Sequence, residues 1–171
     1  MALFDGAAIV ARARALLEDG AGTARVIAAG TYLGGLHAAL SDEVAAQRAA
    51  VTPIVEANIG APVRNAASPW VNSTVSLLDF DLTVTVFRGA DLLADVDDDT
   101  RDLLKGAITT DVDRIAQALT WPGNMSGCGL CSDMLRYVGA DPPEAVVRES
   151  SPFARVVVRF RGTAKVTQAI P

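Results

Sequence analysis

The C-terminal segment constrains the fold most strongly, because residues 155–167 alternate between two chemistries with almost no error. The first set of alternate positions is apolar: Val156, Val158, Phe160, Ala164 and Val166. The second set is basic or polar: Arg155, Arg159, Arg161, Thr163, Lys165 and Thr167. Val157 is the single exception. Only an extended strand repeats every two residues, so the pattern predicts a strand with one face in the core.

A second segment has the same repeat with the opposite charge. Its apolar positions are Leu78, Phe80, Leu82, Val84 and Val86, and its polar positions are Asp79, Asp81, Thr83 and Thr85. Opposite charges on facing positions favour strand pairing, so we predict that the two strands are neighbours in one sheet. In the simplest arrangement Arg159 and Arg161 pair with Asp79 and Asp81. The apolar phase changes by one residue at Leu77 and Leu78, which predicts a β-bulge there.

Two helices are predicted from capping residues and apolar spacing. Asp5 is a plausible N-cap for a first helix that carries Ile9, Ala13, Leu16 and Leu17 on one side. Asp99 or Thr100 is expected to cap a second helix that ends at Trp121. Its apolar stripe consists of Leu104, Ile108, Val112, Ile115 and Leu119.

The remaining segments complete the expected layout. Residues 134–138 and 145–148 are predicted to be strands on either side of a turn, whereas residues 23–69 are weakly patterned and are interpreted as an arm or insertion. We therefore predict one domain over residues 1–171. Its fold class is α+β, with an antiparallel or mixed sheet, helices packed on one face and a long irregular insertion after the first helix.

Charge and hydropathy exclude several classes of protein. The net charge of -5 argues against binding nucleic acid over a broad surface, since such binding needs a basic face. The uncharged stretch of residues 26–41 is shorter than the roughly 20 apolar residues of a membrane helix and is interrupted by glycines, so no membrane partner is expected. The first residues lack the basic and apolar regions of a secretory signal, and synthesis in the cytoplasm is expected.

Reactive residues are few and poorly placed for chemistry. Cys128 and Cys131 form a CxxC motif, but the only histidine is His37, and a structural zinc site needs two further ligands. The aspartates between Asp95 and Asp102 lack the glycine and glutamate of a calcium-binding EF-hand loop. We therefore expect no catalytic residue, cofactor or metal. A small redox or metal protein that uses the CxxC motif and a small-molecule binding domain remain the alternatives from other classes.

The order of elements resembles the tail terminator (tail completion) proteins of tailed bacteriophages and the related neck proteins. The resemblance covers residues 7–18 and, more clearly, residues 71–171. It includes a long strand ending in Phe87, Arg88 and Gly89, an amphipathic helix, and a hairpin containing Met134 and Leu135 that leads into a long terminal strand. It implies a structural virion protein of the tail or neck, assembled in the host cytoplasm, with no enzymatic activity.

The resemblance also implies the partners. Six copies would form a ring that caps the tail tube and joins it to the head, so the expected partners are further copies, the tail tube protein and a head completion or connector protein. Contact with DNA would occur only through the lumen. A neck or head completion protein is the alternative. A closed ring needs two complementary patches on each copy. The candidates are a basic set (Arg155, Arg159, Arg161 and Lys165) and an acidic set (Asp91, Asp95, Asp97, Asp98 and Asp99).

Overall fold

A computed structural model describes residues 4–19, 32–33, 54–66, 75–89, 98–121, 124–125, 135–148 and 151–167. Within these ranges the chain forms two helices, α1 (Gly6–Asp19) and α2 (Asp98–Thr120). The strands in the same ranges are β1 (Tyr32–Leu33), β2 (Ile54–Ile59), β3 (Val63–Arg64), β4 (Val75–Gly89), β5 (Arg136–Ala140), β6 (Glu144–Arg148) and β7 (Ser151–Thr167).

The strands of the described residues form one mixed sheet with the order β1-β2-β4-β7-β5. β3 also pairs with β4, and β6 also pairs with β7. β1 runs parallel to β2, and every other pair is antiparallel. The predicted α+β class, with an antiparallel or mixed sheet and helices on one face, is confirmed.

The centre of the sheet is the long pairing of β4 with β7, which confirms that the two alternating segments are neighbours. All 15 residues of β4 have partners on β7, from Val75 opposite Thr167 to Gly89 opposite Phe153. The register does not shift anywhere along this pair, so the predicted bulge at Leu77 and Leu78 is wrong. Leu77 lies half-buried on the face away from the helices, in step with the rest of the strand. Because it is an apolar residue at a position of the polar face, the sequence pattern looked as if it had shifted by one residue.

Both helices pack on one face of the sheet, which we call the inner face. α1 contacts α2 and β2, and α2 contacts β4, β5 and β7. The predicted apolar stripe of α1 and the part of the α2 stripe from Ile108 to Leu119 are buried there. The alternate apolar residues of β7 and those of β4 from Phe80 to Val86 are buried on the same face. Gly162 of β7 lies opposite Phe80 of β4, and this aromatic ring also packs against Phe4 with ring centroids 5.6 Å apart. This apolar layer is the core of the protein.

The helix ends follow the sequence closely. The Ala8 backbone N–H donates a 2.9 Å hydrogen bond to Asp5 Oδ1, so the predicted N-cap of α1 is confirmed. α2 begins at Asp98, which places Asp99 and Thr100 inside its first turn and not before it. α2 ends at Thr120, directly before Trp121, as predicted. Within the described residues, neither helix is long and apolar enough to cross a membrane.

The described part of residues 23–69, which is residues 32–33 and 54–66, contains three strands that the sequence pattern did not predict. β2 pairs with β4 from Ile54 opposite Phe87 to Ile59 opposite Leu82, so this part of the range is an integral part of the sheet and not an irregular insertion. Three consecutive residues of β2, Val55, Glu56 and Ala57, are buried. A strand buried on both faces has no polar alternation, which explains why its pattern was weak.

Candidate interaction face

The outer face is the side of the sheet away from the helices, and it holds the polar positions of β4 and β7. These positions are Asp79 and Asp81 of β4 and Arg155, Arg159, Arg161, Thr163 and Lys165 of β7. They share one face because residues directly opposite each other in an antiparallel pair point the same way. The structure therefore brings together the four predicted basic residues along one strand.

The part of the outer face around Arg161 and Thr163 is held by side-chain hydrogen bonds between β4 and β7. Arg161 lies opposite Asp81, and its Nε donates a 2.9 Å hydrogen bond to Asp81 Oδ1. Thr163 Oγ1 donates to Asp79 Oδ1 at 2.8 Å, and Asn65 Nδ2 donates to both oxygens of Asp79 at 2.9 and 3.0 Å. The predicted pairing of Arg161 with Asp81 is thus confirmed, and Asp79 is held by neutral donors.

Arg159 has a different partner from the one predicted. Thr83 lies opposite it on β4, so Asp79 is too far along the strand to pair with it. The Arg159 guanidinium instead donates two hydrogen bonds to Asp141, which follows β5; Nη2 lies 2.7 Å from Oδ2, and Nη1 donates to Oδ1. The hydrogen bond from Arg159 and its positive charge hold the pKa of Asp141 below its usual value, although burial opposes this shift. The arginine is therefore neutralised within its own chain.

The other end of the outer face, around Arg155, consists mostly of buried residues. Arg155 Nη1 lies 3.6 Å from Glu144 Oε2, and the Arg155 Nε is buried without a hydrogen-bond partner among the described residues. Glu56, Thr85 and Phe87 are buried on the same side of the sheet. Among the described outer-face positions of β4 and β7, the exposed ones are Asp81, Arg159, Arg161 and Lys165, so this part of the face is accessible within the described structure.

Arg136 is a residue of this face that the sequence analysis did not select. It lies on β5 directly opposite Arg161 and is exposed. Two arginines therefore occupy facing positions, with Asp81 on the far side of Arg161. The sequence contains no signal for this, because the pairing depends on the register of a five-residue strand that shifts between Tyr137 and Gly139.

A cleft of about 330 Å³ opens on the outer face beside Arg161. Ala61, Val63 and Ala66 contribute apolar surface to its lining. Arg64, Asp79, Asp81 and Arg161 contribute charged groups. Val63 is 67% exposed, so its side chain is accessible from the cleft. The cleft thus combines an apolar contact surface with a fixed ion pair.

Two further apolar side chains are exposed at the edge of the sheet. Tyr137 and Val138 of β5 are 47% and 59% exposed, and the Tyr137 ring packs edge-on against Phe160 with centroids 5.9 Å apart. Gly139 has a φ of 152°, a conformation that other residues rarely adopt, and it follows the register shift in β5. The backbone after this bend brings Asp141 to Arg159.

Several predicted positions lie outside the described residues. These are Asp91, Asp95 and Asp97 of the acidic set, both cysteines of the CxxC motif (Cys128 and Cys131), and His37. Asp98 and Asp99 belong to the first turn of α2, but their side chains are not described. Among the residues with described positions, no group of three acidic, cysteine or histidine side chains is close enough to hold a metal ion.

Comparison with known proteins assigns no family to the chain. It matches no family model, and no curated protein sequence matches it significantly.

Proposed function

We propose that this protein is a structural subunit of a tailed bacteriophage, of the tail terminator type. Copies of the chain associate into a six-fold ring that caps the tail tube and joins it to the head. The partners are therefore other copies of the chain, the tail tube protein and a head completion or connector protein. In this proposal the protein has no enzymatic activity and functions only through its contacts.

The observation that carries the proposal is the open part of the outer face. Arg161 and Asp81 are 62% and 59% exposed, yet they are bonded to each other across two long central strands. Arg159 is held by a two-point contact with Asp141, and Asp79 is held by Asn65 and Thr163. Side chains that are fixed before binding lose less conformational entropy when a partner docks. A rigid, charged and exposed surface of this kind is suited to a protein contact.

The arrangement of elements also supports the proposal. The resemblance to tail terminators rests on a first helix, a long strand, an amphipathic helix and a hairpin that leads into a long terminal strand. α1, β4, α2, β5 and β7 occur in this order. β4 and β7 then form the broadest continuous surface of the sheet, with 15 residue pairs.

The experiment is to determine the particle mass and shape of the purified full chain, alone and mixed with tail tubes. Light scattering gives the mass, and negative-stain electron microscopy gives the shape. We expect closed rings, which bind the ends of tubes when tubes are added. Rings that bind a head connector but not tubes would favour a neck protein instead. A protein that stays monomeric at all concentrations, with and without tubes, would overturn the proposal.

A further inference from the structure

The accessible part of the outer face has an acidic half on β4 and a basic half on β7. The β4 positions carry carboxylates or no charge, and they are Leu77, Asp79, Asp81 and Thr83. The β7 positions opposite them carry cations or no charge, and they are, in the same order, Lys165, Thr163, Arg161 and Arg159. In each of the four rows the β7 residue is more positive than the β4 residue. The boundary between the two halves therefore runs along the strands.

The row of Asp81 and Arg161 can form bonds beyond those within the chain. Arg161 Nε donates to Asp81 Oδ1. Among the described residues, the two Nη atoms of Arg161 and the Oδ2 atom of Asp81 have no hydrogen-bond partner. Both side chains are more than half exposed. The ion pair thus presents unused donors on the basic half and an unused acceptor on the acidic half.

A two-fold axis parallel to the strands, between β4 and β7, makes this face complementary to itself. Such an axis places β4 of one copy over β7 of a second copy, row by row, so Asp81 of each copy faces Arg161 of the other. In the other three rows a charged residue faces an uncharged one, because Thr83, Thr163 and Leu77 are neutral. Arg136 on β5 faces residues 60–63, which carry no charge. No two like charges face each other in these rows.

We propose that the outer face binds the outer face of a second copy of this chain through this two-fold contact. An isologous contact uses the same patch on both copies, so the patch must be self-complementary. The Nη groups of Arg161 donate to Asp81 of the other copy, and a guanidinium binds a carboxylate with both strength and orientation. A partner of a single sign would instead meet like charges on one half of the face. The two-signed face therefore selects a second copy.

The area of the contact indicates how strongly it binds. Seven residues of two strands cover about 230 Å², at about 3.4 Å per residue and 4.8 Å between strands. A stable interface buries roughly 800 Å² per partner, so two single chains should dissociate readily. Two of the proposed rings facing each other would form the contact six times, and linked contacts reinforce one another. The inference thus rests on the proposed function for its strength, and it predicts that free rings pair face to face.

Particle mass at different salt concentrations is the first test. At low salt we expect the full chain to form particles of twice the ring mass, and at about 1 M salt, where charges are screened beyond about 3 Å, single rings. Arg161→Gln removes both ion pairs of every contact, so the association constant between rings should fall by at least about 100-fold. The matched control is Arg114→Gln, an exposed position on α2, which should pair like the wild type.

A variant that carries both Asp81→Arg and Arg161→Asp provides the more specific test. It keeps an ion pair between β4 and β7, and two copies of it still place opposite charges face to face, so it should fold and pair with itself. A wild-type copy facing this variant brings two carboxylates together and two guanidinium groups together, which disfavours the mixed contact. Isotope-labelled wild-type rings and unlabelled variant rings are mixed at high salt and returned to low salt. Native mass spectrometry should then find pairs of like rings only, and the label shows whether subunits have exchanged between rings.

Two results would overturn the inference and leave the proposed ring intact. One is a wild-type protein that forms only single rings at low salt. The other is a folded double variant that pairs with wild-type rings as readily as with its own. If circular dichroism shows that the double variant does not fold, Arg161→Gln decides, and pairing at the wild-type level would contradict the inference. Wild-type dimers that never form rings, but pair like with like in the same mixture, would support the two-fold contact and overturn the proposed function.

Discussion

Arg88, near the end of β4, forms a buried ion pair with Asp111 in the middle of α2. Arg88 Nε donates to Asp111 Oδ2 at 2.6 Å, and Arg88 Nη2 donates to Oδ1 at 3.1 Å. The Asp111 side chain is 1% exposed and that of Arg88 is 14% exposed. The pair fixes the position of the helix relative to the strand on the inner face, so it supports the geometry of the whole sheet.

We predict that Asp111→Asn lowers the free energy of unfolding by about 3 kcal/mol, because it leaves the Arg88 charge buried without this counter-charge. Urea unfolding measures this loss. The matched control is Asp113→Asn, an exposed position on the same helix that should change stability by less than about 0.5 kcal/mol. The double variant Arg88→Met and Asp111→Leu should cost less than Asp111→Asn alone. Equal stability of the Asp111 and Asp113 variants would show that the ion pair contributes little.

Gly162 and Gly106 should respond to alanine in opposite directions. A Cβ at Gly162 would lie 2.5 Å from Phe80 Cζ and 2.7 Å from Leu135 Cδ2, so the core must shift to accept it. We expect Gly162→Ala to lower stability by about 2 kcal/mol. Gly106 is an exposed glycine within α2, and a Cβ added there would meet no atom within 4 Å, so Gly106→Ala should raise stability by about 0.5 to 1 kcal/mol. Thermal or urea unfolding compares them, and a stabilising Gly162→Ala would contradict the close packing of Phe80.

The bond between Arg159 and Asp141 makes a prediction about pH. The pKa of Asp141 is lowered mainly by the hydrogen bond from Arg159. A lowered pKa in the folded state means that the pair adds stability above the unfolded value of about 3.9 and loses this contribution as the pH falls through the folded pKa. An NMR titration of the Asp141 carboxyl carbon should therefore show a midpoint below that of an ordinary aspartate. In the Arg159→Gln variant the midpoint should rise; an unchanged midpoint would mean that the bond is absent in solution.

The sequence was sufficient to predict the elements whose two sides differ in chemistry. β7 has a buried face and a charged face, so its alternation located both the core residues and the outer face. The stripe of α2 from Ile108 to Leu119 was equally clear. In both cases only one side of the element is buried, so apolar residues recur at the spacing of a strand or of a helix and identify the element.

The sequence failed where burial or register removed that signal. β2 is buried at Val55, Glu56 and Ala57, and a buried glutamate looks like a surface residue in any hydropathy pattern. The partner of Arg159 was predicted wrongly because alternation fixes which face a residue occupies but permits slips by an even number of residues. Only the register places Thr83 opposite Arg159 and brings Arg136 beside Arg161.

Crosslinking between copies tests the central claim, that the outer face is the contact through which the chain assembles. Lys165 is exposed on this face, and the only other lysine, Lys105, is exposed on α2. A zero-length carbodiimide reagent joins lysines to nearby carboxylates, and an equal mixture of isotope-labelled and unlabelled protein identifies bonds between copies. We predict that Lys165 is joined to carboxylates of a second copy and that Lys105 is joined mainly to its own chain. Crosslinks of Lys165 confined to one copy, in a sample that is assembled, would contradict the account.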